Sequence, residues 1–139
     1  MRRALVLLVV LAATSAAPET VVGAGTAQAS FAFGRTGGNI EPFTVTIARD
    51  GSVTTKGPVH PLRLRLSAPV LAHLTSVATA QHFFTLRRQT VCPGTLPDFA
   101  FSFVTVRTAS ASRTVLVRGD CRPAFTKVYA ALSGAVGVR

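Results

Sequence analysis

Acidic residues are scarce in this chain, whose 139 residues include five Asp and Glu against 15 Lys and Arg. Only three histidines add to them, so there is little material for acid–base catalysis. Tryptophan is absent, and two cysteines exclude both a dense disulfide scaffold and a four-cysteine zinc site. Hydrophobic residues make up 48% of the chain, which excludes a disordered tail, and the length fits one domain.

The acids and histidines form none of the usual catalytic or metal-binding patterns. A G-x-S-x-G nucleophile motif is missing, and nothing in the spacing of Glu41 and Asp98 brings these two carboxylates into one cleft. His60, His73 and His82 lie 13 and 9 positions apart, whereas two ligands on one helix face need a spacing of roughly three or four. Phosphate-binding and dinucleotide-binding motifs are also missing. We therefore expect no catalytic residue, no metal and no cofactor.

The N-terminus has the pattern of an export signal. Arg2 and Arg3 precede an uncharged apolar run over residues 4–13, which is shorter than the roughly 20 residues that span a bilayer. The small residues that follow end in Ala27-Gln28-Ala29, which fits the A-x-A cleavage pattern. The alternative is a buried helix, but Pro18 and the nearby glycines would interrupt it. Cleavage is therefore expected after Ala29.

This pattern predicts a signal peptide over residues 1–29 and a single secreted, extracellular domain over residues 30–139. We expect the mature domain to have no membrane span. Removing the two arginines and the one glutamate of the leader leaves 13 basic and four acidic residues, a net charge of +9.

Hydrophobic periodicity predicts an α+β domain. Alternating apolar residues indicate strands at 30–33, 43–47, 52–55, 99–106 and 114–117, and the alternation at 62–66 would also allow a strand, which would place three leucines on the core. Helical spacing indicates helices over 68–81 and through the apolar face from Phe125 to Val136, and Asp50-Gly51 predicts a hairpin. Residues 89–98 are expected to form a loop. The economical arrangement is an antiparallel sheet of four to five strands with two helices on one face.

The two cysteines are expected to pair. In an exported protein, Cys92 and Cys121 would close a loop of about 30 residues and contribute roughly 3–4 kcal/mol to stability. A reactive or intermolecular thiol at Cys92 is the alternative, although no histidine lies near it in sequence.

The segment from Cys92 to Asp98 is the best candidate for a contact surface. Two prolines and the cysteine restrict its freedom, so that a partner protein would meet a pre-organised loop. Leu96 is its large apolar side chain and would either be an exposed anchor or pack into the core. The candidate partner-binding residues are Pro93, Gly94, Thr95, Leu96, Pro97 and Asp98.

The excess of arginine indicates a second kind of partner. Arg63 and Arg65 share one side of a predicted strand, and together with Arg87 and Arg88 they are the candidate basic patch for anionic polymers of the cell envelope. The alternative is compositional, because Arg far outnumbers Lys and the other basic residues are scattered. Export argues against nucleic acid as the partner.

The run Phe33-Gly34-Arg35-Thr36-Gly37-Gly38, the Asp-Gly hairpin after it and a late Pro-Asp before the aromatic strand resemble emfourin. Emfourins are small α+β inhibitors of thermolysin-like metallopeptidases, and the likeness in order of elements covers most of the mature chain. The chain also looks like small secreted bacterial proteins. The resemblance implies peptidase inhibition, but the cysteine pair has no counterpart in it, so no inhibitory residue is carried across.

Two functions follow as expectations. The first is a secreted, non-catalytic binding domain that inhibits an extracellular peptidase. The second is a cationic protein held at the cell envelope by anionic polymers. An inhibitor needs a rigid, protruding loop, whereas an envelope binder needs clustered arginines.

Overall fold

The computed structural model describes residues 28–138, and within this range the chain forms a mixed sheet of six strands with two α-helices. The elements in chain order are β1 (Ser30–Thr36), β2 (Phe43–Ile47), β3 (Val53–Lys56), α1 (Ala68–Ala80), β4 (Gln89–Val91), β5 (Phe101–Arg107), β6 (Ser112–Arg118) and α2 (Pro123–Val136). The α+β class is confirmed, and the sheet is larger than expected. Of the expected leader over residues 1–29, residues 1–27 lie outside the described residues.

The strands lie in the order β3-β2-β1-β5-β6-β4. Neighbouring strands are antiparallel except at one edge, where β4 runs parallel to β6 and Thr90 faces Val117. The expectation of a purely antiparallel sheet is therefore wrong, as is that of a loop throughout 89–98. A strand of three residues has no periodicity of its own, and β4 exists because β6 offers a free edge.

The buried apolar residues of the strands point to one face of the sheet, and the helices pack on that face. In β1 and β5, Phe31, Phe33, Val104 and Val106 are buried, and their neighbours along each strand point the other way. The helices contribute Leu71, Leu74, Ala78, Phe125, Val128, Leu132 and Val136 to the same core. Phe83 follows α1 in a 3-10 turn and is fully buried. Among residues 28–138, no helix has the length and apolar character that crossing a bilayer requires.

The connection between β2 and β3 is the expected hairpin. Ala48 N donates to Ser52 O (2.9 Å), and Asp50 Oδ1 accepts hydrogen bonds from Ser52 N (3.0 Å) and Oγ (2.7 Å). The hydroxyl and then the amide of Ser52 lower the pKa of Asp50. Because the pKa of Asp50 is lower in the folded state, the ionised carboxylate stabilises the fold. This stabilisation is complete above the unfolded-state pKa and is lost as the pH falls through the lowered folded-state pKa. Asp50 is therefore committed to the turn.

The first strand continues through Gly34, beyond the predicted range of 30–33. β1 continues to Thr36, and Gly34 pairs with Thr44 on one side and Phe103 on the other. A side chain at Gly34 would collide with the carbonyl oxygen of Phe43. An isolated glycine within a strand here marks a close approach of two backbones rather than a turn.

The alternating leucines at 62–66 do not form a strand. Leu66 is buried, but Leu62 and Leu64 are the most exposed of the large apolar side chains among residues 28–138. A single β-bridge joins Arg65 to Ser52. The chain makes its other backbone hydrogen bonds to several different neighbours, so the two-residue period does not continue into a ladder.

Ala29 is 1% exposed and belongs to the core, although the expected cleavage would remove it. We expect a protein that begins at Ala29 to be more stable than one that begins at Ser30 by about 1 kcal/mol, because burial of the Ala29 methyl is lost in the shorter form. Urea unfolding of the two purified forms measures the difference, with a form beginning at Gln28 as the control. Equal stability of all three would show that Ala29 contributes nothing, and the mass of the secreted protein would show which form exists.

Candidate functional site

The Cys92–Asp98 loop begins at a fixed point. Cys92 and Cys121 form the predicted disulfide, with Cα atoms 5.6 Å apart. Cys92 N also donates to Arg118 O (2.9 Å), and Cys121 N donates to Cys92 Sγ (3.0 Å). The start of the loop is therefore attached both to the end of β6 and to the segment that leads into α2.

Two consecutive turns give the loop its internal structure. Cys92 O accepts hydrogen bonds from Thr95 N (3.2 Å) and Thr95 Oγ1 (2.7 Å), which close the first turn. Leu96 O accepts a hydrogen bond from Phe99 N (3.1 Å), which closes the second. Each backbone turn is thus held by a hydrogen bond of its own, and the threonine hydroxyl strengthens the first.

The far end of the loop is held by the turn that follows β1. Asn39 N donates to Asp98 O (3.0 Å), and Asn39 Nδ2 donates to Asp98 Oδ2 (3.1 Å). Gly38 has a φ of +65°, and a side chain there would collide with the backbone between Asp98 and Ala100. The sequence did not predict this contact between the turn after β1 and the loop. Two glycines followed by an asparagine are typical of a turn. They do not indicate that the turn contacts Asp98, which is distant in sequence.

The surface of this loop is apolar. Among residues 28–138, the exposed large apolar side chains are Leu62, Leu64, Val91, Leu96 and Phe99, of which the last three lie in or beside the loop. Leu96 is 57% exposed, so the alternative that it packs into the core is wrong. Pro93, Gly94, Pro97 and Asp98 are exposed as well, whereas Thr95 is half-buried beneath them.

The four arginines of the candidate basic patch lie at opposite edges of the sheet. Arg63 and Arg65 lie beside β3, where Arg65 bridges to the residue before that strand. Arg87 and Arg88 precede β4, and Arg88 O accepts a hydrogen bond from a residue of β6. The edges are separated by five strand spacings, roughly 24 Å. The expectation of a single patch is therefore wrong, because strand order rather than sequence distance decides which residues are neighbours.

The remaining titratable residues are engaged in local structure or dispersed. Asp120 Oδ1 accepts a hydrogen bond from Thr126 Oγ1 (2.9 Å) at the start of α2. His82 follows α1 with a φ of 50°. Among residues 28–138, no group of three or more His, Cys, Asp or Glu side chains is arranged to hold a metal ion.

Replacing Gly38 by Ala is expected to destabilise the protein more than replacing Gly37, although both glycines have positive φ. At Gly37 a Cβ would meet open space, so the cost is that of the left-handed backbone, about 1–2 kcal/mol. At Gly38 an alanine would have the same unfavourable backbone conformation, and its Cβ would also collide with the backbone of Asp98–Ala100. Thermal unfolding measures the difference in stability. Hydrogen exchange at the Phe99 amide, which donates to Leu96 O, shows whether the second turn of the loop is still formed. Equal effects would show that the turn does not support the loop.

No family model matches this chain, and neither curated proteins nor solved structures provide a match.

Proposed function

We propose that this chain is a secreted, non-catalytic binding domain that inhibits an extracellular peptidase through the Cys92–Asp98 loop. The observation that carries the proposal is the combination of exposure and restraint in this loop. Its apolar residues face solvent, while the disulfide, two internal turns and Asn39 hold its backbone in place.

A restrained loop binds at a low cost in conformational entropy. A flexible segment loses backbone and side-chain freedom when it is ordered by a partner, whereas this segment is already ordered. Leu96, between Pro93 and Pro97, offers an apolar side chain of the size that fills a pocket in a partner. Val91 and Phe99, both about half-exposed, flank it along the chain and extend the apolar area.

Among extracellular proteins, a peptidase is the partner that we favour, because its active site is a cleft that accepts a protruding chain. The resemblance to emfourin in the turn after β1 supports the same class of partner. That turn includes Gly38 and leads into Asn39, which contact the base of the loop. Gly38, one of the residues that carry the resemblance, therefore adjoins the surface that we propose for binding.

The alternative of an envelope protein held by anionic polymers is less favoured. It requires clustered arginines, and the sheet separates the two pairs that were expected to cluster. Binding through arginine charge alone also leaves the exposed apolar side chains of the loop without a role.

The proposal is tested with the producer's own culture supernatant. The oxidised protein, beginning at Gln28, is immobilised, and retained proteins are identified by mass spectrometry. We expect a peptidase that is retained by the wild type and lost with Leu96→Asp, and whose activity the soluble protein inhibits at near-stoichiometric concentration. Retention of the same peptidase by both forms would place the contact elsewhere. Failure to inhibit any retained or added thermolysin-like or subtilisin-like peptidase would overturn inhibition as the function.

A further inference from the structure

A second exposed apolar surface lies far from the Cys92–Asp98 loop. Leu62 is 84% exposed and Leu64 is 67% exposed. Leu64 O accepts a hydrogen bond from Val53 N of β3 (2.9 Å), which places these leucines at the edge of the sheet opposite to β4. The two apolar surfaces can therefore be altered independently.

The backbone holds both leucines outward. Arg63, between them, donates from its amide to Val136 O (3.0 Å) and from Nη1 to Gly134 O (3.2 Å) and Ala135 O (3.1 Å). These hydrogen bonds satisfy carbonyl groups at the end of α2 that have no partner within the helix. On the other side, Leu66 N donates to Gly51 O (2.8 Å). The segment is therefore held on both sides, and Leu62 and Leu64 cannot turn into the core without breaking these bonds.

The charge around the two leucines is positive. Lys56, Arg63 and Arg65 lie near Leu62 and Leu64 in the chain, and the nearest acidic residue in the sequence is Asp50 of the β2–β3 turn, whose pKa the charge of Arg65 helps to lower. Lys56 and Arg65, both exposed, flank the leucines in sequence. The full sequence has a net charge of +10, so the protein as a whole is attracted to anionic surfaces.

We propose that Leu62 and Leu64 dock this protein on the surface of an anionic phospholipid bilayer. Such a surface offers negative headgroups to Lys56 and Arg65, and apolar chains in which two leucines are buried at the interface. A soluble anionic polymer satisfies the charges but leaves the leucines in water. A second copy of this chain would bury the leucines but would bring two strongly positive surfaces together.

Vesicle sedimentation tests the proposal. The probes are vesicles of phosphatidylglycerol with phosphatidylcholine, and vesicles of phosphatidylcholine alone. The protein begins at Gln28 and is oxidised, so that the apolar run of residues 4–13 does not contribute to binding. We expect binding to the anionic vesicles and at least about tenfold weaker binding to the neutral ones, because each basic residue near an anionic surface contributes to attraction.

The paired variant Leu62→Ser with Leu64→Ser separates the apolar contribution from charge. We expect it to bind anionic vesicles at least about tenfold more weakly than the wild type, because two leucines no longer transfer into the interface. Leu96→Ser is the matched control, since it removes an exposed leucine from the other surface, and it should bind as the wild type does. Circular dichroism verifies that all three forms are folded.

A tryptophan reporter gives a readout that does not depend on loss of binding. The chain contains no Trp, so Leu64→Trp and Leu96→Trp each introduce a single fluorophore. On addition of anionic vesicles, the emission of Leu64→Trp should shift to shorter wavelength, and that of Leu96→Trp should not.

Several outcomes would overturn the proposal. Absence of binding by the wild type would do so, as would equal binding by the paired serine variant, which would mean that charge alone acts. A concentration-dependent dimer in sedimentation velocity that the paired variant abolishes would instead assign the leucines to self-association. None of these results bears on peptidase inhibition, which is measured with the other surface.

Discussion

Leu96→Asp is expected to weaken binding of the peptidase partner by about 1–3 kcal/mol and to leave thermal stability nearly unchanged. The reason is that Leu96 lies outside the core, with more than half of its surface in water. In the complex, the same side chain would be buried, and a carboxylate there would lose its hydration without gaining a partner. Inhibition titrations give the affinity, and differential scanning calorimetry gives the stability.

Two further variants serve as controls for Leu96→Asp. Leu62→Asp changes a leucine that is still more exposed but lies at the opposite edge, so it should leave peptidase inhibition intact. Leu132→Asp places a carboxylate in the core and should unfold the protein. A marked fall in melting temperature with Leu96→Asp would mean that the loop contributes to the core. Unchanged affinity would show that the peptidase binds to other exposed residues and not to Leu96.

Replacing both cysteines by serine should lower the free energy of unfolding by about 3–4 kcal/mol. The bond joins residues 29 positions apart, and its removal restores the freedom of that loop in the unfolded chain. This loss is a large part of the stability of a domain of this size, which is typically about 5–15 kcal/mol. Guanidinium unfolding of the paired serine variant and the oxidised protein measures it.

The same variant should also lose affinity for the peptidase under conditions in which it is still folded. The first turn of the loop begins at Cys92, and without the bond to Cys121 that end is held by the hydrogen bond to Arg118 O. The partner would then have to order the loop on binding. Full inhibition by the folded variant would show that the remaining hydrogen bonds suffice, and our account of the loop would lose its main support.

The elements with strong local patterns were predictable from the sequence. The helix from Ala68 follows from the spacing of its apolar residues and from Pro69 in its first turn, and the hairpin at Asp50-Gly51 follows from turn chemistry. The disulfide was also predictable, because the sequence predicts export, and two cysteines in an exported chain would have one another as partners. These features depend on residues that are close in sequence or unique in it.

Features that depend on strand order were not predictable. β4 exists through parallel pairing with β6, and its three residues have no pattern of their own. Arg65 and Arg88 are separated by the whole sheet, although fewer than thirty positions separate them in the chain. Leu62 and Leu64 have the two-residue period of a strand, but the end of α2 and the β2–β3 turn take up the hydrogen bonds that a strand would need. In the loop, the sequence indicated stiffness but not the role of Asn39.

The pairing of β1 with β5 at the centre of the sheet has a consequence for the order of folding. Phe33 lies opposite Val104, so the middle of the sheet joins the first and last thirds of the domain. Until β5 has been synthesised, β1 would present an unpaired edge, and the first three strands could not complete a stable core. A topology with such distant pairings folds slowly. We therefore expect the nascent chain to stay unfolded until β5 has been synthesised, which is the state that the proposed export would require, and Cys121 follows β6 in the chain, so the disulfide can form only after the last strand has been made.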